Sequence, residues 1–251
     1  MSSKSVLETL DSGFRQTCRV LLGDEVGPLE DFKDYLQEYM QKPHVFPSCS
    51  SKKDVFVSGE HYSPSARFLG FGELDWKKRF QPLSINEIKD IDSITGAMGE
   101  RFTYTGNIVL GTSRGVERST NVTNSFFVSD SSLVSKSEYV LYSSFARNCK
   151  GIFGTHDTAN TGFSMRARCI GGPVGVSRIF ESFLITASSD IFYSANLIGC
   201  QKCWFSFFQK GSKYKIGNLQ LEPGEYSKIE SSLRGQIREE LSSRKRAPGL
   251  F

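Results

Sequence analysis

The sequence predicts a mainly β protein: a short single-stranded β-helix, or solenoid, with an N-terminal helical hairpin and a C-terminal capping helix. Three observations carry that expectation. A signature of aromatic, any residue, serine recurs as Phe127-Val-Ser129, Tyr142-Ser-Ser144, Phe180-Glu-Ser182, Phe192-Tyr-Ser194 and Trp204-Phe-Ser206. Its last three aromatics, at positions 180, 192 and 204, are spaced by a constant twelve residues. Ser, Asn and Gly crowd the gaps between the short apolar runs, as corners between stacked coils require. The expected organisation is a helical hairpin over residues 1–43, a linker and mixed α/β segment over 44–100, the solenoid over 101–221, and a helix with a basic tail over 222–251.

Each element has its own signal. Leu7, Leu10, Phe14, Cys18 and Leu21 recur at steps of three and four, which predicts a helix over 5–22 that stops at Gly23. Pro28 suits the first turn of a second helix, and Glu30, Asp31 and Asp34 favour its dipole; Pro43 limits it. Short strands are expected at 54–58 and 66–71. Ser84 with Glu87 fits a capping box for a helix over 85–98. A strand is expected over 102–110, a turn over 111–115, and coils from Val122 to Leu221. Asn107, Asn121, Asn124, Asn148, Asn160, Asn196 and Asn218 fall near corners, where asparagine tolerates left-handed backbone and can bond its amide to the next coil. Gly171-Gly-Pro-Val-Gly175 interrupts the twelve-residue step and is expected to leave the stack as a loop. Pro223 and Glu225 open a last helix on Tyr226, Ile229, Leu233, Ile237 and Leu241. In this reading the rings at 180, 192 and 204 point inward and fill the middle of the stack. The terminal helix covers one end of it and the N-terminal elements cover the other.

Composition narrows the function classes. The chain has 251 residues, 38% of them apolar, enough to bury a core. No apolar run approaches the roughly 18–20 residues that span a bilayer. The first residues lead straight into an amphipathic pattern, so a cytoplasmic location without membrane contact is expected. Six cysteines without a secretory leader read as thiols. Charge is uneven: residues 101–221 carry 13 Lys/Arg against 6 Asp/Glu, while residues 1–100 carry 12 against 16. A basic solenoid beside an acidic N-terminal part suits a polyanionic or acidic partner.

Residues 199–219, Gly-Cys-Gln-Lys-Cys-Trp-Phe-Ser-Phe-Phe-Gln-Lys-Gly-Ser-Lys-Tyr-Lys-Ile-Gly-Asn-Leu, are followed by Glu225-Tyr-Ser-Lys-Ile and a charged helix. This stretch resembles the ending of a family of uncharacterised β-solenoid proteins of archaea and small-genome bacteria. There the last coils run Asn-Cys-x-x-Cys-Phe, then a Lys-rich turn with Tyr-x-Ile-x-Asn, then a helix opening near Glu-Tyr. The likeness covers residues 122–241 best. It implies the solenoid fold and brings no activity.

Chemistry has few candidates. Cys200-x-x-Cys203 has half the spacing of a zinc site, but no second pair exists, so no metal or cofactor is expected. His156-Asp157 could be a base oriented by an acid, which leaves a glycan- or acyl-transfer enzyme working at the Gly171–Gly175 loop as the alternative reading. The solenoid's acids, Glu117, Asp130, Glu138, Asp157, Glu181 and Asp190, are too sparse for a glycan-cleaving cluster. Basic groups with aromatics are the stronger signal: Trp76, Lys77, Lys78 and Arg79; Arg166, Arg168 and Arg178 around the loop; and Arg244, Lys245 and Arg246 in the tail. The expected function is that of a non-catalytic binding or scaffold protein. Its basic face meets RNA or a ribonucleoprotein such as the ribosome. The helical hairpin and the tail offer further protein contacts, including a homodimer.

Overall fold

The computed structural model describes residues 5–77 and 81–250. Strands of four or five residues alternate between two parallel sheets, one of ten strands and one of nine, and wind a solenoid of about nine turns. Along the ten-stranded sheet Glu138 pairs with Lys150 and Val140 with Ile152; along the nine-stranded sheet Ser144 pairs with His156. Each coil thus advances twelve residues. Two coils depart from this: Val109 pairs with Val122, thirteen residues apart, and Thr161 with Val176, fifteen apart because the glycine loop inserts three.

A repeat of three governs the chain within each coil. From Arg118 to Cys169 every third residue has φ between +42° and +70°, and the residue after it points into the lumen. All seven corner asparagines named above take this left-handed conformation. So do Phe127, Leu133 and Tyr139, where it costs roughly 1–2 kcal/mol per residue. The continuous ladder and the buried interior offset that cost.

The lumen is lined alternately by aliphatics and hydroxyls. Val122, Val128, Val134, Val140 and Ile152 fill the strand centres of the first coils, and Ile179, Ile185, Ile191 and Leu197 those of the later ones. Apart from Ala167, the corners are Ser, Thr or Cys for a specific reason. Ser131 Oγ donates to the Ser129 carbonyl at 2.7 Å and accepts the Ser143 amide of the next coil at 3.1 Å. Ser143 repeats this with Leu141 and Thr155, and Ser194 with Phe192 and Ser206. A buried hydroxyl so placed has both roles filled, and it satisfies a corner amide that the sheets leave unpaired.

The rings at 180, 192 and 204 do lie above one another. Phe180 pairs with Phe192 and Phe192 with Trp204, the last two rings stacked at 4.2 Å and 3°. They do not fill the lumen, as the sequence reading expected. They project from the outer surface of the ten-stranded sheet, in one column with Leu141, Phe153 and Met165, and are buried under helices. The lumen between small Val and Ser columns has no room for them.

Helix α1 (Val6–Leu22) lies across that sheet, opened by a Ser5–Glu8 capping box and closed by left-handed Gly23. It touches six successive strands, from Arg114–Glu117 to Val176–Phe180. Seventeen residues at about 1.5 Å rise give about 25 Å, and five strand spacings give about 24 Å, so helix and sheet match in length. Phe14 packs against Phe153, and Gly13 allows the helix to reach Tyr139, which a Cβ would meet at 2.8 Å. The second limb of the expected hairpin is shorter than predicted: a 3-10 turn Leu29–Phe32 runs into α2 (Lys33–Gln37), well before Pro43.

Helix α3 (Ile91–Arg101) begins later than the expected 85–98. Asp90 caps it, accepting the Ser93 amide at 2.8 Å; Ser84 and Glu87 instead close a separate turn. The expected strand over 102–110 is broken into Tyr104–Gly106 and Val109–Leu110 at left-handed Asn107. The hairpin His44–Pro47/Asp54–Val57 and the pair Phe68–Gly70/Tyr104–Gly106 sit at the first coil, where Asn107 bonds Phe56 and Asp54 and Asn121 bonds Ser58. These N-terminal elements cover that end of the stack, as expected.

Helix α4 (Pro223–Arg244) does not cover the other end. It starts at the last coil, with Tyr226 against Tyr214, and runs back over the aromatic column, where the Arg234 guanidinium lies 4.6 Å from the Phe192 ring. The far end is finished by the chain itself. Leu219–Gln220 folds back antiparallel on Lys213–Ile216, and the Asn218 amide bonds both the N–H and the C=O of Phe207.

Candidate partner-binding face

Because both long helices lie on the ten-stranded sheet, the outer surface of the nine-stranded sheet has no helix over it. Both sheets carry an excess of cations, the ten-stranded one including Arg114, Lys202 and Lys213, but they differ in their acids. Of the six acids in the solenoid, five are paired on the ten-stranded sheet or its corner: Glu117 and Asp130 with Arg118, Glu138 with Lys150, Glu181 with Arg166, and Asp190 with Arg178. The open sheet and its margins carry Lys136, Arg147, Arg168 and Lys210 against Asp157 alone. Phe145, Leu184, Ile198, Phe207 and Phe208 are exposed on it.

The inserted glycine loop bulges from one margin of this sheet. Asn148 donates to Asn160 at 2.8 Å and Asn160 to the Gly172 carbonyl at 2.8 Å, so an amide ladder ties the loop to the stack. Beneath Pro173 is a polar cavity of about 430 Å³ lined by Lys136, Lys150, Asn148, Asn160 and Thr161 among others. The opposite margin holds His156. Its Nδ1 lies 2.6 Å from the Ser144 Oγ, and with Arg168, Tyr39 and Glu38 it borders a smaller cavity of about 250 Å³. Burial lowers the His156 pKa from its ordinary value, Asp157 opposes the shift and Arg168 adds to it. Ser144 is fully buried, and His156 and the glycine loop stand at opposite ends of their strands, so the two do not form one site.

The basic residues singled out in the sequence have varied surroundings. Trp76 and Lys77 are exposed after the 3-10 turn Phe71–Glu73; Lys78 and Arg79 lie outside the described residues. Arg166 is 1% exposed and does not face solvent. It bonds Glu181 and the Tyr35 carbonyl, meets Glu38 at 2.8 Å, and is sandwiched 3.8 Å from the Tyr35 ring and 4.0 Å from that of Tyr39. Arg178 forms a two-pronged pair with Asp190 at 2.5 and 2.7 Å. The tail is held by the chain's own acids: Arg244 by Glu240 at 3.2 Å, Lys245 by Asp31 at 3.1 Å, and Arg246 by Glu38 at 2.8 Å. Hairpin and tail, expected as contacts for other proteins, therefore hold one another.

All six cysteines are free, and no cluster of three metal-ligating side chains occurs among the described residues. Cys200 and Cys203 occupy successive inward positions in the lumen. Burial pushes the thiols of Cys149 and Cys203 up to about 11, the opposite of what a reactive thiolate needs. No helix among the described residues is long and apolar enough to cross a membrane. Sequence reasoning missed Phe145, Arg147, Phe207 and Lys210; projecting the twelve-residue register onto the strands would have placed them on one face. Comparisons with protein-family models, curated proteins and solved structures find no match.

Proposed function

We propose that this chain is a non-catalytic binding or scaffold protein that meets RNA, or a ribonucleoprotein such as the ribosome, through its nine-stranded sheet. The observation that carries this reading is the separation of cover. Helices and most acid–base pairs lie on one sheet, while the other has no helix over it and carries cations beside exposed rings. Cations bind a phosphate backbone by releasing counterions, and flat exposed aromatics stack bases with little sequence preference. A cytoplasmic location and kinship with the archaeal and small-genome bacterial solenoids belong to the same proposal. The glycan- or acyl-transfer alternative has less support, since the Ser144 hydroxyl beside His156 is shut away from solvent.

The test is binding of mixed-sequence single-stranded RNA by fluorescence anisotropy across a salt series. Affinity is expected to fall steeply with salt. The combined substitution Arg147→Ala and Lys210→Ala should weaken binding and reduce the salt slope by about 1–2. Absence of binding at low salt, or binding indifferent to these two residues, rejects the proposal.

A further inference from the structure

The small N-terminal sheets at the first coil border a cavity of about 560 Å³. Three of its lining rings meet at right angles. Phe46 and Phe68 are stacked at 4.0 Å and 3°, and Tyr62 stands edge-on to both, at 5.7 Å and 77° from Phe46 and at 4.9 Å and 80° from Phe68. Tyr104 supports Tyr62 from behind at 4.8 Å, so the aromatic recess is formed without a ligand. A flat ring suits such a recess, face to one wall and edge to the other.

Lys52, Arg67 and Glu60 also line the cavity. The turn that carries Lys52 is fixed from within. Ser48 Oγ accepts the Ser50 and Ser51 amides at 3.1 and 3.2 Å and donates to Glu73 at 2.8 Å, while the Lys52 amide donates to the Ser48 carbonyl at 3.1 Å. Lys52 has a φ of 63°, and before Asn107 it is the one described non-glycine residue with left-handed backbone. Glycine or asparagine adopts that backbone more easily, yet the position carries an ammonium. That ammonium has no partner among the described residues. Arg67 is anchored through Nη2, to the Glu100 and Phe102 carbonyls at 2.5 and 3.4 Å, which leaves Nε and Nη1 without a described partner. Glu60 accepts from Gln41 at 2.5 Å through one oxygen and keeps the other.

We infer that this cavity binds a nucleotide, with the base in the aromatic recess, the phosphate at Lys52 and Arg67, and the ribose hydroxyls toward Glu60. Each feature excludes a simpler ligand. Aromatic recesses also take quaternary ammonium groups, but two cations at the same cavity repel them. Inorganic phosphate would leave the rings unused, and an uncharged nucleoside would leave the cations unused. The volume falls within the roughly 300–1,000 Å³ of small-molecule sites. None of the lining residues belongs to the nine-stranded sheet, so the site does not depend on what that sheet binds. A free nucleotide and the terminal nucleotide of an RNA offer the same chemistry.

Cys49 gives the readout. It lines the cavity and is exposed, whereas the other five cysteines are buried or half-buried. The rate at which iodoacetamide alkylates it, followed by peptide mass spectrometry on the full chain, reports occupancy. Adenosine 5′-monophosphate at millimolar concentration is expected to protect Cys49, and adenosine to protect it only at higher concentration. Choline and inorganic phosphate should not protect at the concentration where the nucleotide does. Lys52→Gly, which suits the left-handed backbone and keeps the turn, should raise the nucleotide concentration for half-protection by about tenfold and leave that for adenosine unchanged. Phe46→Leu should raise both. The Arg147→Ala and Lys210→Ala double variant should be protected like the wild type, which separates this site from RNA binding on the open sheet. A 5′-phosphorylated tetranucleotide that protects at lower concentration than the mononucleotide identifies an RNA end as the occupant; the reverse order identifies a free nucleotide. Four results overturn the assignment: no protection by either nucleotide, equal protection by choline, equal protection by phosphate alone, or half-protection that Lys52→Gly does not shift.

Discussion

From Arg118 to Cys169 each inward residue follows a residue with left-handed backbone, and this decides what the side chains can do. Outward positions next to an inward one are held at a fixed angle, so equivalent residues of neighbouring coils meet directly. The Ser144–His156 contact arises this way, as a ladder pair and not as a catalytic constellation. Burial lowers the His156 pKa from 6.5, against the opposing pull of Asp157, so the folded state disfavours the charged ring. A histidine depressed in the folded state contributes stability that is present above its unfolded pKa and lost as pH falls through the folded value. Between about pH 8 and about pH 5 the wild type should therefore lose more stability than a His156→Gln variant. Urea denaturation of both proteins at the two pH values measures this. Equal losses would mean the imidazole protonates as freely folded as unfolded.

At the scale of elements, the Arg166–Glu181 pair joins four parts of the chain. Arg166 and Glu181 occupy equivalent corners of adjacent coils, since Met165 pairs with Phe180. Tyr35 of α2 donates to Glu181 at 2.9 Å, Glu38 bridges Arg166 and Arg246, and the Leu250 amide also donates to Glu181. Both charged groups are buried, so removing one leaves the other uncompensated. Glu181→Leu should destabilise the fold by about 3–5 kcal/mol, whereas adding Arg166→Met should recover much of that loss. Chemical denaturation of the single and double variants decides it: a double variant as unstable as the single would mean that the pair is not coupled. Nothing local in the sequence marks this pair, because Tyr35 and Glu38 lie more than a hundred residues away. What was legible was the twelve-residue step and the seven asparagines, each a residue at ease in left-handed backbone. The direction of the rings was not. Their spacing fixes which coil they belong to, but the side they face is set by the three-residue Val/Ser alternation, which the large aromatics overshadow. Helix covers of the wrong surface follow from the same gap: once Phe180, Phe192 and Trp204 point outward, α1 and α4 must lie over them and leave the stack's ends to other devices. The basic surface suffered likewise, since charge counts along a chain do not say which cations are already matched by acids one coil away.

For the whole molecule the question is why so regular a stack stops. A solenoid with an apolar interior and a free strand edge offers a template for another copy. At the first coil the small N-terminal sheets remove that template. At the last coil the inward positions change character. Where earlier coils place Val, Ile or Leu, the final one places Gln209 and Lys215, with Lys215 Nζ bonded to Gln209 at 2.6 Å and the corner Ser212 also bonded to Gln209. A charged ammonium and an amide at the mouth of the lumen cannot be buried under a further coil without losing water, so they oppose end-to-end growth while the Asn218 amide and the antiparallel return strand occupy part of the edge. Replacing Gln209 and Lys215 together with Val should turn this mouth apolar, and Phe207 and Phe208 already stand exposed beside it. The double variant is expected to form end-to-end assemblies that grow with concentration, which light scattering on the variant and its parent measures. If the Val variant associates no more than the parent, the return strand and Asn218 alone suffice to end the stack, and the polar lumen residues serve only to hydrate its mouth.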